Sequence, residues 1–133
     1  MTTDQDAVLA ANAAFYRAFT ERDVAAMDAL WARDTPVACV HPGWQVLNGR
    51  EAVMASWRGI LNGIPPAIRC TEATACVAGS AAFVVCTESI DAAELVATNV
   101  FVQEGGNWKL AHHHAGPVAD ADDDDTPRSG FLN

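Results

Sequence analysis

Two helical stretches, a β run, a third helix and then four β runs in succession predict an α+β domain, with helices packed on an antiparallel meander. Three observations carry that reading. Apolar residues recur at helical spacing from Thr3 to Arg22 and again from Arg50 to Leu61. Runs rich in β-branched residues, separated by turn residues, fill the stretch from Ile68 to Pro117. Gly105-Gly106-Asn107 lies between the last two of them, as a hairpin turn would.

In the first helix Val8, Phe15 and Phe19 form a stripe at offsets of seven and four, with Leu9 and Tyr16 beside it. Asp23 fits the N-cap of a second, short helix whose Val24, Met27 and Trp31 face one way. Thr35 to His41 reads as a strand ended by Pro42-Gly43, and Trp44 to Leu47 as a short extended segment. Asn48 and Glu51 have capping-box spacing ahead of the third helix, which presents Val53, Trp57, Ile60 and Leu61 on one side. Asn62-Gly63 closes that helix and Pro65-Pro66 blocks its continuation. The meander strands are expected at Ile68–Val77 and Ala82–Ile90, followed by the hairpin.

Side chains alternate faces along a strand, and cross-strand partners share a face. In the last strand Trp108 and Leu110 are the large apolar groups, so their side is expected to be the core side. His112 and His114 then point inward and His113 outward. With Gly105-Gly106 as the turn, Asn99 falls opposite His112 and Phe101 opposite Leu110; with Gly106-Asn107, Asn99 falls opposite His114; a bulged three-residue loop would break either register. A four-residue loop at Asp91–Glu94 pairs Ile90 with Leu95, Glu88 with Ala97 and Val84 with Phe101. Glu88 thereby joins Asn99, His112 and His114 on the inner face, a polar floor in an otherwise apolar pocket. A buried carboxylate is costly unless paired, and His112, His114 or Arg69 are its expected partners. Phe83, Val85, Val100, Val102 and Ala111 fall on the other face, which needs a cover of its own, most simply a second subunit.

The 133 residues suffice for one domain, expected over 1–119, and half of them are apolar. Asp122 to Asp125 open an aperiodic acidic stretch, so 120–133 are expected to form a disordered tail. A net charge of −9 argues against nucleic acid or anionic membrane as the main partner. The start lacks a signal-peptide pattern and no apolar run approaches the roughly 20 residues of a membrane span. Cys39, Cys70, Cys76 and Cys86 form no Cys-x-x-Cys pair and are expected to be buried free thiols, which with the rest implies a cytoplasmic protein. Glu88, His112 and His114 have the composition of a metal site, but a strand His-x-His is common and Asn99 is a poor fourth ligand, so neither metal nor cofactor is expected.

Several segments together resemble a known superfamily. They are Phe15-Tyr16, Arg22-Asp23 before a helix ending Ala29-Leu30-Trp31, Val40-His41-Pro42-Gly43, and Asn48-Gly49-Arg50-Glu51-Ala52-Val53 followed by Ser56-Trp57. The chain resembles the nuclear transport factor 2-like superfamily, its SnoaL-like branch above all. The ending Asn107-Trp108-Lys109-Leu110-Ala111-His112-His113-His114 is also similar to the association domain of calcium/calmodulin-dependent protein kinase II. The resemblance implies a cone-shaped α+β barrel, helices on a strongly curved antiparallel sheet around an internal pocket, dimerising through the sheet. It does not choose among isomerases, dehydratases, hydrolases, cyclases and non-enzymatic assembly domains. Set beside the ketosteroid isomerase branch, His41-Pro42 stands where the catalytic Asp would be, Phe15 near the oxyanion-hole Tyr with Tyr16 turned away, and Thr98 or Asn99 near the second acid. That mechanism is therefore not expected here. The expected site is His41, Glu88, Asn99, His112 and His114 as chemical groups, walled by Phe15, Tyr16, Trp31, Trp44, Trp57, Ile60 and Phe101. Its ligand is expected to be a small, largely apolar molecule, met either by cofactor-independent acid–base chemistry or by binding alone.

Overall fold

The structure is a computed structural model that describes residues 3–119; the acidic tail expected over 120–133 lies outside the described residues. Helix α1 (Asp4–Thr20) starts at a capping box in which Thr3 Oγ1 accepts from Asp6 N–H and the Asp6 carboxylate accepts from Thr3 N–H. Helix α2 (Val24–Leu30) is capped by Asp23, as its sequence foretold. Strands β1 (Ala38–Val40) and β2 (Leu47–Asn48) are short, and helix α3 (Arg50–Asn62) runs from Gly49 to Gly63. No side chain caps α3: Asn48 belongs to β2, and Gly49, at φ +89°, takes the N-cap place in a conformation open to glycine. Four long strands follow, β3 (Ile68–Ala78), β4 (Ala81–Ile90), β5 (Ala93–Glu104) and β6 (Asn107–Pro117).

The sheet order is β2-β1-β6-β5-β4-β3. The meander is antiparallel, but β1 runs parallel to β6, so the sheet is mixed; it curls around the helices without closing. Gly105 and Gly106, both at positive φ (+58° and +82°), make the two-residue β5–β6 turn that the right-handed strand twist favours. Between β4 and β5 the turn has two residues, since Ile90 pairs Ala93, and Glu88 pairs Leu95 rather than Ala97. That slip of two residues preserves every face, so Glu88, Asn99 and Phe101 still point inward.

The β5–β6 pairing departs from the alternation by one residue. Phe101 pairs Leu110 as expected, but the next pair is Val100 with His112, leaving Ala111 unpaired in a bulge. The bulge sits where β6 changes neighbour. Leu110 O accepts from Ala32 N in the α2–β1 connection at 2.9 Å, and from His112 onward β6 pairs β1. Leu110 and Ala111 are consequently both buried, and the faces beyond them exchange. His113 is inside and 3% exposed, while His112 and His114 lie on the outer face, and Ala111 is not part of that face.

The core packs Val8, Phe15, Met27, Trp31, Val53, Phe101 and Leu110 between the helices and the concave side of the sheet. Cys39 and Cys86 are buried, Cys70 is half-buried and Cys76 is exposed on β3; all four are free thiols. Among the described residues no helix is long and apolar enough to cross a membrane.

Candidate active site

A cavity of about 280 Å³ opens between α1, α3 and the sheet. Its walls are aromatic because the helices that cover the sheet place their bulky residues there. Phe15 stacks edge-on against Trp57 with centroids 5.5 Å apart, and Trp44 stacks against His41 at 4.8 Å near the mouth. Tyr16, Ile60, Glu88, His41 and His113 complete the lining that bears on chemistry. Trp31 and Phe101, expected as pocket walls, are instead wholly buried in the core beneath it. Trp31 is drawn there by its bridge to Leu110, and Phe101 lies opposite Leu110 on the neighbouring strand.

At the polar end Tyr16 Oη donates to Glu88 Oε2 at 2.5 Å. Asn99 Nδ2 donates to Tyr16 Oη (3.2 Å) and to Asn12 Oδ1 (2.8 Å). Both Asn99 amide hydrogens are thus used, and Asn99 Oδ1 is left to accept from His113 Nδ1 at 2.6 Å. His113 therefore carries its proton on Nδ1, and its unprotonated Nε2 faces Glu88 Oε2 at 4.0 Å. Burial lowers the His113 pKa to about 3, assisted by nearby His41, so this imidazole is neutral. Burial also raises the Glu88 carboxyl above its ordinary range, against the opposing pull of the Tyr16 hydrogen bond. Tyr16 stays protonated, because burial and the Glu88 charge both raise its pKa. Glu88 Oε1 makes no hydrogen bond among the described residues and is free for an occupant of the cavity.

On the opposite wall, Ser56 Oγ donates its one proton to Val53 O at 2.6 Å. The 2.9 Å contact from His41 Nε2 to Ser56 Oγ must then be donated by the histidine, which puts the lone pair on Nδ1. Burial lowers the His41 pKa to about 4, so it too is neutral near pH 7. The indole N–H of Trp57, a residue 1% exposed, has no partner among the described residues. An unmet buried donor costs about 1–3 kcal/mol.

The structure thus brings together His41, Glu88 and Asn99 from the expected set. His112 and His114 are separated from them by the thickness of the sheet, so neither pairs with Glu88, and the two-histidine, one-carboxylate cluster is not assembled. Arg69, the third expected partner of Glu88, makes no ion pair with it. Tyr16, expected as a pocket wall, also reaches the polar end beside Phe15, because the curved sheet wraps more than one stripe of α1. Asn12, Ser56 and His113 were not read as site residues. Asn12 carried a signal: a polar residue four positions from both Val8 and Tyr16 on an otherwise apolar face.

A curved sheet closed by helices over a small aromatic pocket with a buried polar end defines the cone-fold, nuclear transport factor 2-like class. Residues 8–120 match the SnoaL-like domain family, and the chain belongs to it. Among solved structures, a protein from Streptomyces avermitilis provisionally assigned as a dehydratase of the nuclear transport factor 2-like family is 36% identical. That match covers 88% of this chain and 97% of the other, with a TM-score of 0.80. A Thiobacillus denitrificans chain provisionally assigned as a calcium/calmodulin-dependent protein kinase type II association domain is 33% identical, covering 84% and 94% of the two chains, with a TM-score of 0.75. Among curated proteins, the F-box protein SKIP8 of Arabidopsis thaliana is 24% identical over 112 residues. That match takes in 82% of this chain, which spans about half (48%) of the relative's length.

Proposed function

We propose that this protein binds a small, largely apolar carbonyl compound in the aromatic pocket and moves a proton on it without a cofactor, as an isomerase or dehydratase would. The observation that carries this reading is Glu88. It is a carboxyl group 2% exposed, lifted toward neutrality by burial, with one oxygen held by Tyr16 and the other free in the cavity. A carboxylate with a raised pKa is a stronger base toward a proton on carbon than an ordinary one. In the proposed step Glu88 Oε1 takes a proton from the carbon beside the carbonyl. The C–H electron pair moves into the enolate. Returning the proton at another carbon gives isomerisation; loss of a β-hydroxyl, which takes up that proton and leaves as water, gives dehydration. His41, neutral with its lone pair on Nδ1, accepts from a substrate hydroxyl. The similarity to the Streptomyces avermitilis protein supports the reading.

The test is deuterium incorporation into 2-cyclohexenone in D₂O, followed by mass spectrometry. The native protein is expected to accelerate exchange, with a rate rising with pH as Glu88 ionises. Glu88→Gln is expected to remove about 10²-fold or more of that acceleration, with probe binding retained. Exchange no faster than in buffer, or unchanged in Glu88→Gln, would count against the proposal.

The outer face of the sheet supports a homodimer as part of the same reading. Cys76, Phe83, Val100 and His112 form a cross-strand row without a formal charge, and Phe83, Val85 and Val96 are among the exposed large apolar residues. A patch of that composition is complementary to itself, and a standard contact covers roughly 800 Å² per subunit. The likeness to the kinase association domain points the same way. Light scattering at micromolar concentration is expected to give a dimer mass for the native chain and a monomer mass for Val100→Asp, which places an unpaired carboxylate at the contact. A monomeric native chain would remove this interface. The four free thiols fit the reducing cytoplasm, which we propose as its location.

A further inference from the structure

We infer that the groove between α1 and β3 is a second binding site, for an organic anion with a short aliphatic body and a carboxylate head. The groove holds about 520 Å³ and is separate from the aromatic pocket, although Tyr16 and Ile68 contribute to both. Its origin lies in the strand. The β3–β4 register shifts between Thr71 and Thr74, and Glu72 takes φ +56°. Positive φ is uncommon for a residue with a side chain, and a bulge bends its strand away from its neighbours. Helix α1 is tied to β3 on either side of this bend. Gln5 Nε2 donates to Ala75 O at 3.0 Å, and Asn12 Nδ2 to Cys70 Sγ at 3.7 Å. Most of the groove extends from the Asn12–Cys70 contact toward Glu21 on α1 and Ile68 on β3.

Leu9, Ala13 and Arg17 recur every four residues along the wall formed by α1, and Ile68 and Arg69 stand on the wall formed by β3. The apolar side chains suit an aliphatic body. The two guanidinium groups come from opposite walls, and the two ion pairs found among the described residues, Arg33 and Arg50 each with Asp28, involve neither of them. Glu21 is the one carboxylate in the lining. In a chain with a net charge of −9, two uncommitted arginines on one groove select an anion, and arginine suits the planar, two-oxygen geometry of a carboxylate. This site does not depend on proton transfer at Glu88.

Calorimetric titration of the full chain with octanoate, and with octanamide as its neutral isostere, tests the inference. Hydrogen bonds to a charged group contribute about 1.5–3 kcal/mol, so octanoate is expected to bind at least about tenfold more tightly than octanamide. The preference is expected to vanish in Arg17→Gln/Arg69→Gln, whose changes are on exposed side chains and leave the core intact, and to persist in Glu88→Gln. Amide shifts on octanoate binding should centre on Arg17 and Ala73. Equal binding of the two probes, an unchanged preference in the double variant, or shifts centred on Trp57 and His41 would each overturn the site.

Discussion

Unfolding free energy is expected to fall as the pH drops from 6.5 toward 4, and to fall about 1.4 kcal/mol per pH unit less steeply in a His113→Phe variant. His113 and His41 titrate near 3 and 4 in the folded chain, but near the ordinary imidazole value of 6.5 once unfolded. Between those values the unfolded state binds protons that the native state refuses. Their stabilising contribution is present above pH 6.5 and is lost as the pH falls through the folded values. Glu88 has the opposite sign: its raised folded pKa gives a contribution present below its unfolded value and lost as the pH rises through the folded one. Comparing the two proteins isolates His113 from both other groups. Phenylalanine fills the same place against Phe15 and Trp57, so packing is largely kept. Denaturant melts at half-unit intervals of pH give the slopes. Equal slopes would mean that residue 113 faces solvent.

Replacing Asn99 with alanine is expected to cost about 3 kcal/mol or more. Asn99 is fully buried and serves three partners at once, His113, Asn12 and Tyr16. Each partner left unmatched in the interior costs about 1–3 kcal/mol. Thr98→Ala, one residue away on the outer face, is expected to stay within about 0.5 kcal/mol. Chemical denaturation of the pair measures both. Near-equal losses would contradict the assignment of faces along β5.

These two expectations rest on the inner face of the sheet, which was partly legible in the sequence. A hairpin turn at Gly105-Gly106-Asn107 was readable from its composition, while the choice between Gly105-Gly106 and Gly106-Asn107 as its two residues was not. The inward side of β4 and β5 was readable because a slip of two residues does not alter parity, so Glu88 and Asn99 were placed correctly even though their partners were not. The face of β6 was not readable. A single extra residue at Ala111 reverses everything after it, and it lies beside the bond from Ala32 N to Leu110 O, a contact between segments 78 positions apart. Alternation carries no trace of such a partner. Three consecutive histidines also offered no compositional hint, since any of them could be the inward one. Tyr16 was legible as a pocket wall, but its bond to Glu88 was not, for a related reason. A helical wheel shows which direction a residue points, and not how far a curved sheet reaches around the helix.

The most direct test of the pocket is an imidazole-resolved ¹H–¹⁵N spectrum of the native chain recorded with and without 2-cyclohexenone. Ring signals of His41 and His113 are expected to shift on adding the probe, with His113 observed as the neutral Nδ1–H form, while those of His112 and His114 stay in place. Shifts confined to His112 and His114, or no shift at any of the four, would contradict a ligand site on the concave side of the sheet.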